Sequence, residues 1–192
     1  MERILLLGLI VLYFCAFLVR NIMVRKRIRK SVRTSERLVI LAILSYGLCF
    51  VVLFLSMSDV YRLFLPLGII RHTITTYIGF ILFSISIIMG WIISGQLKDS
   101  WRVGVPREQK TPLVRTGLYA FVRNPYFLTY YVMFLAMFLI RPSLALLLCT
   151  GLTGLIFHGM VLSEEKHLSE IHGRDYEVYR LQTGRYWPKL SS

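Results

Sequence analysis

Two polar clusters in the second half of the sequence have residue types that bind ions, and each stands at one end of an apolar run. Arg123, Asn124 and Pro125 come directly before one run, and Glu164 and Glu165 follow another. Asn is a preferred N-cap residue and Pro is favoured at the first helical position, so a helix is predicted to begin at Pro125. The free N–H groups at that helix start favour an anion. The alternative is an ordinary capped helix with an arginine that fixes membrane topology.

The two adjacent carboxylates need a partner if they lie near a membrane, because an acidic group at that depth is costly unless a cation meets it. The alternative is a solvated start to the C-terminal tail, offset by Lys166 and Arg174. His158 lies seven residues before Glu165 and so on roughly the same helix face. It is either a functional group or a histidine hydrogen-bonded inside a helix bundle. No H-E-x-x-H motif is present, and no metal site is predicted.

Five apolar runs must position these clusters. Apolar residues make up 56% of the 192 residues, which is more than a small soluble protein can bury. A spanning helix needs roughly 20 mostly apolar residues, so we predict an all-α integral membrane protein with about five transmembrane helices. The runs are Ile4–Val19, Leu38–Met57, Ile74–Ser94, Pro125–Ile140 and Ser143–Ser163. The last two are predicted to form a helical hairpin, because only Arg141 and Pro142 separate them.

Most of the 23 basic residues fall in three segments of the chain. Residues 20–37 follow the first apolar run, residues 98–123 follow the third, and residues 166–189 follow the fifth. Loops rich in Lys and Arg stay on the cytoplasmic side of a membrane. This pattern predicts an N-terminus outside and a cytosolic C-terminus. The net charge of +13 then indicates contact with the lipid bilayer. No RNA- or DNA-binding motif accompanies the charge, so no nucleic acid partner is predicted, and no obligate protein partner is evident.

The motifs around the clusters resemble those of a known family. The stretch LVRTGLYAFVRNPYF precedes the hydrophobic hairpin, and SEEKHLSEIHGRDYEVYRLQTGRYWP follows it. This arrangement resembles the isoprenylcysteine carboxyl methyltransferase family and is similar to related small membrane methyltransferases that act on phospholipids. Gly173 stands nine residues after Glu164 and Tyr176 and Tyr179 follow, as in the family pattern. Leu97 and Trp101 match an earlier L-x-x-x-W. At two positions, Asn124 and Phe127, the family has His and Tyr.

The resemblance implies that S-adenosyl-L-methionine binds in a cytosolic pocket built from the 95–124 loop and the C-terminal tail. The start of the fourth helix suits the carboxylate of the cofactor. A glutamate of the pair suits its ammonium or ribose hydroxyls, and the Leu113–Tyr119 backbone suits the adenine. The implied cofactor-binding residues are Leu113, Val114, Gly117, Tyr119, Asn124, Tyr126 and Glu164.

The reaction implied by the resemblance is an in-line methyl transfer to a lipophilic acceptor that enters from the membrane. For carboxyl O-methylation of an isoprenylcysteine-like acceptor, Arg123 would orient the carboxylate and Glu165 would organise the cationic side of the site; these are the predicted catalytic residues. The first alternative is N-methylation of a phospholipid or other lipid amine, with Glu165 or His158 as base. The second is a non-enzymatic membrane protein. The predicted division is residues 1–94, with three transmembrane helices and the basic cytosolic loop, and residues 95–192, the catalytic region.

Overall fold

A computed structural model describes residues 2–28, 37–70, 72–97 and 112–189. The described ranges contain α helices and short 3-10 turns, and no strand among them. The helices are α1 Glu2–Ile28, α2 Arg37–Leu55, α3 Thr73–Gln96, α4 Pro125–Ile140, α5 Leu144–His172 and α6 Arg174–Gln182. Residues 29–36 of the predicted basic segment 20–37, and residues 98–111 of the 95–124 loop with Trp101, lie outside the described residues.

Four of the helices, α1, α2, α3 and α5, are long and apolar enough to cross a membrane. α4 has 16 residues and is about 24 Å long, which is shorter than the hydrocarbon core of a typical bilayer. The helices predicted from the apolar runs are therefore confirmed in the described ranges, and they are consistent with an integral membrane protein. A count of five spanning segments stays a prediction, because the length of α4 alone does not establish that it crosses.

The outer surface of the bundle carries large apolar side chains. Leu155 of α5 is 71% exposed and Leu44 of α2 is 64% exposed, and neither lies in a loop. Such a surface would be costly in water over several helices, whereas lipid tails solvate it. The buried residues instead form a core between the helices, where Phe83 and Met137 are fully enclosed.

α3 and α4 pack closely along their length. A Cβ added at Gly79 would lie 2.7 Å from Ile140 Cγ1 and 2.9 Å from the carbonyl oxygen of Ala136, so glycine is what allows the two backbones to approach. Further along, the Ser86 hydroxyl donates to the carbonyl of Thr129 at 2.8 Å. These contacts fix the end of α4 against the first turns of α3 and the beginning of α4 against the middle of α3.

The connection between α4 and α5 is the tight one predicted from Arg141 and Pro142. Only three residues separate the helices, and the Ser143 hydroxyl caps α5 by accepting from the Leu146 N–H at 3.3 Å. α5 then runs for 29 residues, so Glu164 and Glu165 lie within the helix. The hairpin brings them to the end of the bundle where α3 ends and α4 begins, which we call the site end.

Candidate functional site

Glu165 is the centre of a charged network at the site end. It is only 7% exposed, yet both carboxylate oxygens have partners. Oε1 accepts from Arg123 Nε at 3.2 Å and from Asn124 Nδ2 at 2.8 Å. Oε2 accepts from Arg185 Nε and a terminal guanidinium nitrogen at 3.1 and 2.8 Å. Charge-assisted hydrogen bonds from two guanidiniums and one amide hold this buried carboxylate in its charged form.

Arg123 connects this carboxylate to the C-terminal tail. Its side chain is 8% exposed and also donates to the carbonyls of Arg180 and Thr183. The backbone follows the same course, since the Arg123 N–H donates to the Gly184 carbonyl at 2.8 Å. The described contacts of Arg123 are thus all with other parts of the chain, and its expected contact with an acceptor carboxylate stays a prediction.

Asn124 occupies the predicted N-cap position of α4, with Pro125 in the first turn, but its side chain makes no capping hydrogen bond. The helix start predicted from Asn124 and Pro125 is therefore confirmed, and it forms without a side-chain cap. The Asn124 amide nitrogen donates to the Glu165 carboxylate at 2.8 Å, which is a charge-assisted hydrogen bond. Asn124 consequently joins the start of α4 to α5.

Arg185 completes the network from the tail. Its pKa is raised above the ordinary value of a guanidinium, chiefly by its hydrogen bonds to Glu165. The same pairing brings the folded-back tail against α5, and the Asn124 N–H donates to the Arg185 carbonyl at 3.2 Å. Three separate segments, the start of α4, the end of α5 and the tail, therefore meet at one carboxylate.

Glu164 differs sharply from its neighbour. It is half-buried and makes no hydrogen bond or ion pair with any residue that the structure describes. Successive helix residues point about 100° apart, so the Glu165 network does not reach it. Burial raises the pKa of the Tyr119 phenol, and the nearby charges of Glu164 and then Tyr126 raise it further. The unpaired carboxylate thus lies close to Tyr119, one of the residues predicted to bind cofactor.

The turn that carries Gly117 and Tyr119 is fixed from both sides. Gly117 has a φ of +64°, and an added Cβ would lie 2.5 Å from Gln96 Oε1, so glycine is required there. Gln96 Oε1 accepts from the Leu118 N–H at 3.0 Å, which ties the turn to the end of α3. Leu113 and Val114 precede this turn and are half-buried.

The comparison with protein families decides the general class of the protein. Residues 74–175, more than half of the chain, match the family model described as phospholipid methyltransferase. The chain belongs to the phospholipid methyltransferase family. This confirms the resemblance to the small membrane methyltransferases related to isoprenylcysteine carboxyl methyltransferase. A comparison with curated proteins finds no match.

Family membership indicates a multi-pass membrane methyltransferase that acts on lipid-like substrates. The matched region runs from the start of α3 to the start of α6, so it includes Arg123, Asn124 and both glutamates of the site. It begins before residue 95, and the division of the chain at that residue stays a prediction. The match ends before Arg185.

One contact of this candidate site was missed by sequence reasoning. Arg185 stands twenty residues beyond its partner Glu165, in a tail segment to which the sequence assigned no ion pair. His158 Nδ1 lies 2.8 Å from the Tyr186 hydroxyl, which matches the sequence alternative of a histidine hydrogen-bonded inside the bundle. The available signal for both contacts was Arg185, a basic residue that directly precedes Tyr186 and Trp187 in the tail.

The hydroxyls of Tyr176 and Tyr179 in the C-terminal tail differ in their hydrogen bonding. The Tyr179 hydroxyl donates to the Tyr119 carbonyl at 2.6 Å. The Tyr176 hydroxyl is buried and has no hydrogen-bond partner in the part of the chain that the structure describes. Burial raises the pKa of the Tyr176 phenol, and the charge of Glu165 raises it further, so this hydroxyl stays neutral next to the network.

The two tyrosines predict different effects of the same substitution. Tyr179→Phe leaves the Tyr119 carbonyl without a donor and is expected to lower the free energy of unfolding by about 1–2 kcal/mol. Tyr176→Phe breaks no hydrogen bond within the described chain and is expected to leave stability unchanged or slightly raised. Thermal unfolding of the detergent-purified proteins checks this. Equal destabilisation by both substitutions would contradict the assigned contacts.

Proposed function

We propose that the chain transfers a methyl group from S-adenosyl-L-methionine to a lipophilic acceptor that reaches the site from the bilayer. The observation that carries the proposal is Glu164, a half-buried carboxylate without a partner among the described residues, next to the start of α4. The Glu165 carboxylate beside it already has two guanidinium partners, Arg123 and Arg185. A cationic ligand is therefore favoured at Glu164.

The residues present fit the cofactor that the family uses. The unpaired Glu164 carboxylate would accept from its ammonium group, and the N–H groups at the start of α4 favour its carboxylate. The buried Tyr176 hydroxyl, which has no described partner, supplies a further donor near the same charges. When bound, S-adenosyl-L-methionine supplies an electrophilic methyl group on a sulfonium centre. Leu113, Val114 and the Gly117–Tyr119 turn remain the proposed adenine side.

A small cleft between α1, α3 and α4, with room for about one water-sized group, is where we place the entry of an acceptor from the membrane. It is lined by hydroxyl-bearing and aromatic side chains within otherwise apolar helices, and Arg20 stands in its wall. The hydroxyl-bearing residues are Tyr13, Ser86, Ser94, Tyr126, Thr129 and Tyr130. Tyr126 belongs to this cleft and also lies close to Tyr119, whose pKa responds to Glu164. The cleft therefore adjoins the proposed cofactor side.

The charges of the candidate site and of the cleft favour a carboxylate acceptor. The Glu165 carboxylate is held by Arg123, Asn124 and Arg185, and Glu164 is assigned to the cofactor, so neither is available as a base. A carboxylate is already ionised and needs no base. Arg20, whose guanidinium donates to the Trp91 carbonyl at 2.9 Å, is a cation in the wall of the cleft. We accordingly assign Arg123 and Glu165 as residues that position the site. Isoprenylcysteine-like carboxyl O-methylation is our first candidate.

The family description favours a second candidate, N-methylation of a lipid amine. The two are separated by incubating the purified protein with methyl-labelled S-adenosyl-L-methionine and lipid acceptors of each kind. We expect label that base releases as methanol, which identifies a methyl ester. Base-stable label in an amine lipid would establish the second candidate. Absence of transfer to either kind of acceptor would contradict the proposal.

We also propose that the site end faces the cytosol, with the N-terminus outside. The support is the basic composition of the chain at that end, which includes Arg20 and Lys166. A cytosolic cofactor then has direct access to Glu164. Labelling of single cysteines placed at residues 2 and 189 of a cysteine-free chain in sealed vesicles checks this orientation, and equal accessibility of both ends from one side would contradict it.

Narrowing the cleft is expected to affect the acceptor more than the cofactor. Gly90 lines the cleft, and a Cβ added there would lie 3.7 Å from the Thr129 hydroxyl oxygen, which is an ordinary contact. Gly90→Leu should raise the KM for the lipid acceptor, because the leucine side chain extends into the cleft. A misfitted apolar group typically costs about 1–3 kcal/mol, so the increase should be about tenfold or more.

The matched control for the cleft is Gly90→Ala, whose single methyl group fits without a close contact. It should keep the acceptor KM within about twofold of the unsubstituted protein. Steady-state methyl transfer at varied acceptor concentration measures both proteins. An equal KM for the leucine and alanine variants would contradict the assignment of this cleft to the acceptor.

A further inference from the structure

The chain segment Arg185, Tyr186 and Trp187 leaves α6 and folds back along the start of α4. The Gly184 and Arg185 carbonyls accept from the N–H groups of Arg123 and Asn124 at 2.8 and 3.2 Å. The tail is therefore held at the level where α4 begins. The next two side chains extend beyond that level in different directions.

Tyr186 lies deeper in the bundle than the Glu165 network. Its hydroxyl is 2.8 Å from His158 Nδ1 and 3.4 Å from the Tyr131 hydroxyl, and its ring meets the Tyr131 ring edge-on with centroids 5.4 Å apart. Tyr131 is six residues into α4 and His158 is seven residues before Glu165. At 1.5 Å per residue, both lie about 10 Å further along the bundle than the contact between Asn124 and Glu165.

The bundle surface at this depth is made of lipid-facing side chains. Leu155 and Leu162 flank His158 on α5 and are 71% and 44% exposed. Trp187 directly follows the inserted Tyr186 and is itself 76% exposed. Its indole is thus presented where the apolar surface of the bundle gives way to charged residues. Tryptophan is enriched at this boundary in membrane proteins, because its ring is apolar and its N–H is polar.

Exposed apolar side chains of α6 accompany Trp187. Val178 and Leu181 are three residues apart on one helix face, and Leu181 is 70% exposed. Lys189 Nζ donates to the carbonyls of Arg180 and Leu181 at 3.2 and 2.8 Å, which holds the chain after Trp187 against the end of α6. The surface therefore combines apolar side chains with basic ones, as an anionic membrane surface requires.

We propose that Trp187 and Leu181 dock into the headgroup boundary of the same membrane that the helices cross, so that the lipid surface holds the tail closed over the site. Three consecutive residues then make three successive attachments: Arg185 to Glu165, Tyr186 to His158 and Trp187 to lipid. The partner of this surface is the lipid boundary itself. The proposal concerns the tail alone and holds whichever acceptor is methylated.

Fluorescence quenching tests the docking directly. The chain has three tryptophans, so Trp91→Phe with Trp101→Phe leaves Trp187 as the sole emitter. The protein is reconstituted into phosphatidylcholine vesicles containing phosphatidylglycerol, with and without phosphatidylcholine brominated near the headgroup. We expect bromine to quench at least half of the Trp187 emission and aqueous acrylamide to have little effect. Emission that acrylamide quenches and brominated lipid does not would overturn the proposal.

A second measurement avoids the double substitution. In the otherwise unsubstituted protein, the emission lost on Trp187→Phe is compared in brominated and ordinary vesicles, and it should be clearly smaller in the brominated ones. Trypsin cleavage of the protein in vesicles tests whether the lipid surface holds the tail closed over the site. Trp187→Ser should speed cleavage of the tail at least fivefold, whereas Trp187→Phe should stay within twofold. Equal cleavage of the serine variant and the unsubstituted protein would overturn the role of lipid in holding the tail.

Discussion

Glu165→Gln is expected to destabilise the protein more than any other single substitution at the site. Glutamine keeps the size of the side chain but removes the charge that Arg123 and Arg185 share. The Arg123 guanidinium, only 8% exposed, would then be buried without its counter-charge. Loss of one partner from a buried charge network costs about 3–5 kcal/mol. Thermal unfolding in detergent should show a midpoint roughly 10 °C lower.

The destabilisation should also release the tail. Arg185 and Tyr186 are attached to the bundle in part through the Glu165 carboxylate, so protease cleavage between α6 and the C-terminus should become faster. Glu164→Gln is the matched control, since it makes the same chemical change one residue away. Equal unfolding midpoints for the two glutamine variants would show that the network does not stabilise the fold.

Glu164→Gln is expected to have the largest effect on cofactor binding. Glu164 has no hydrogen bond or ion pair within the described chain, so its charge contributes little to the fold and is available to a ligand. Removing a charged hydrogen-bond acceptor from a ligand's ammonium group costs about 1.5–3 kcal/mol, which is roughly 10- to 150-fold in affinity. Equilibrium dialysis with labelled S-adenosyl-L-methionine measures the loss.

The unfolding midpoint of Glu164→Gln should stay within about 2 °C of the unsubstituted protein, because no contact is broken. A conservative comparison is Glu164→Asp, which keeps the charge on a shorter side chain and should recover part of the affinity. A glutamine variant that binds the cofactor as tightly as the unsubstituted protein would remove Glu164 from the site and leave the start of α4 as the remaining anchor.

The apolar runs were sufficient to predict the helical elements, because segment length and hydrophobicity decide whether a helix can cross a membrane. The start of α4 at Pro125 and the turn at Arg141 and Pro142 follow from local backbone chemistry. The extension of α5 to His172 was only partly anticipated. Its polar continuation contains Glu, Lys and Leu, which are good helix formers even where hydropathy falls.

The charged network was beyond the reach of the sequence because it depends on tertiary contacts. Asn124 has a local use as a cap, and only the position of α5 shows that Glu165 takes its amide instead. Glu164 and Glu165 are the same residue type, and successive helix residues point about 100° apart. As a result, Glu165 contacts two guanidiniums, whereas Glu164 has no partner among the described residues. The contact of Arg185 likewise requires the tail to fold back across the bundle.

The most direct measurement is calorimetric titration of the detergent-purified protein with S-adenosyl-L-methionine and with S-adenosylhomocysteine. We predict saturable binding of both at one site per chain, with the affinity reduced at least tenfold in Glu164→Gln. A folded, unsubstituted protein that binds neither ligand would contradict the proposal that this membrane protein is an S-adenosyl-L-methionine-dependent methyltransferase.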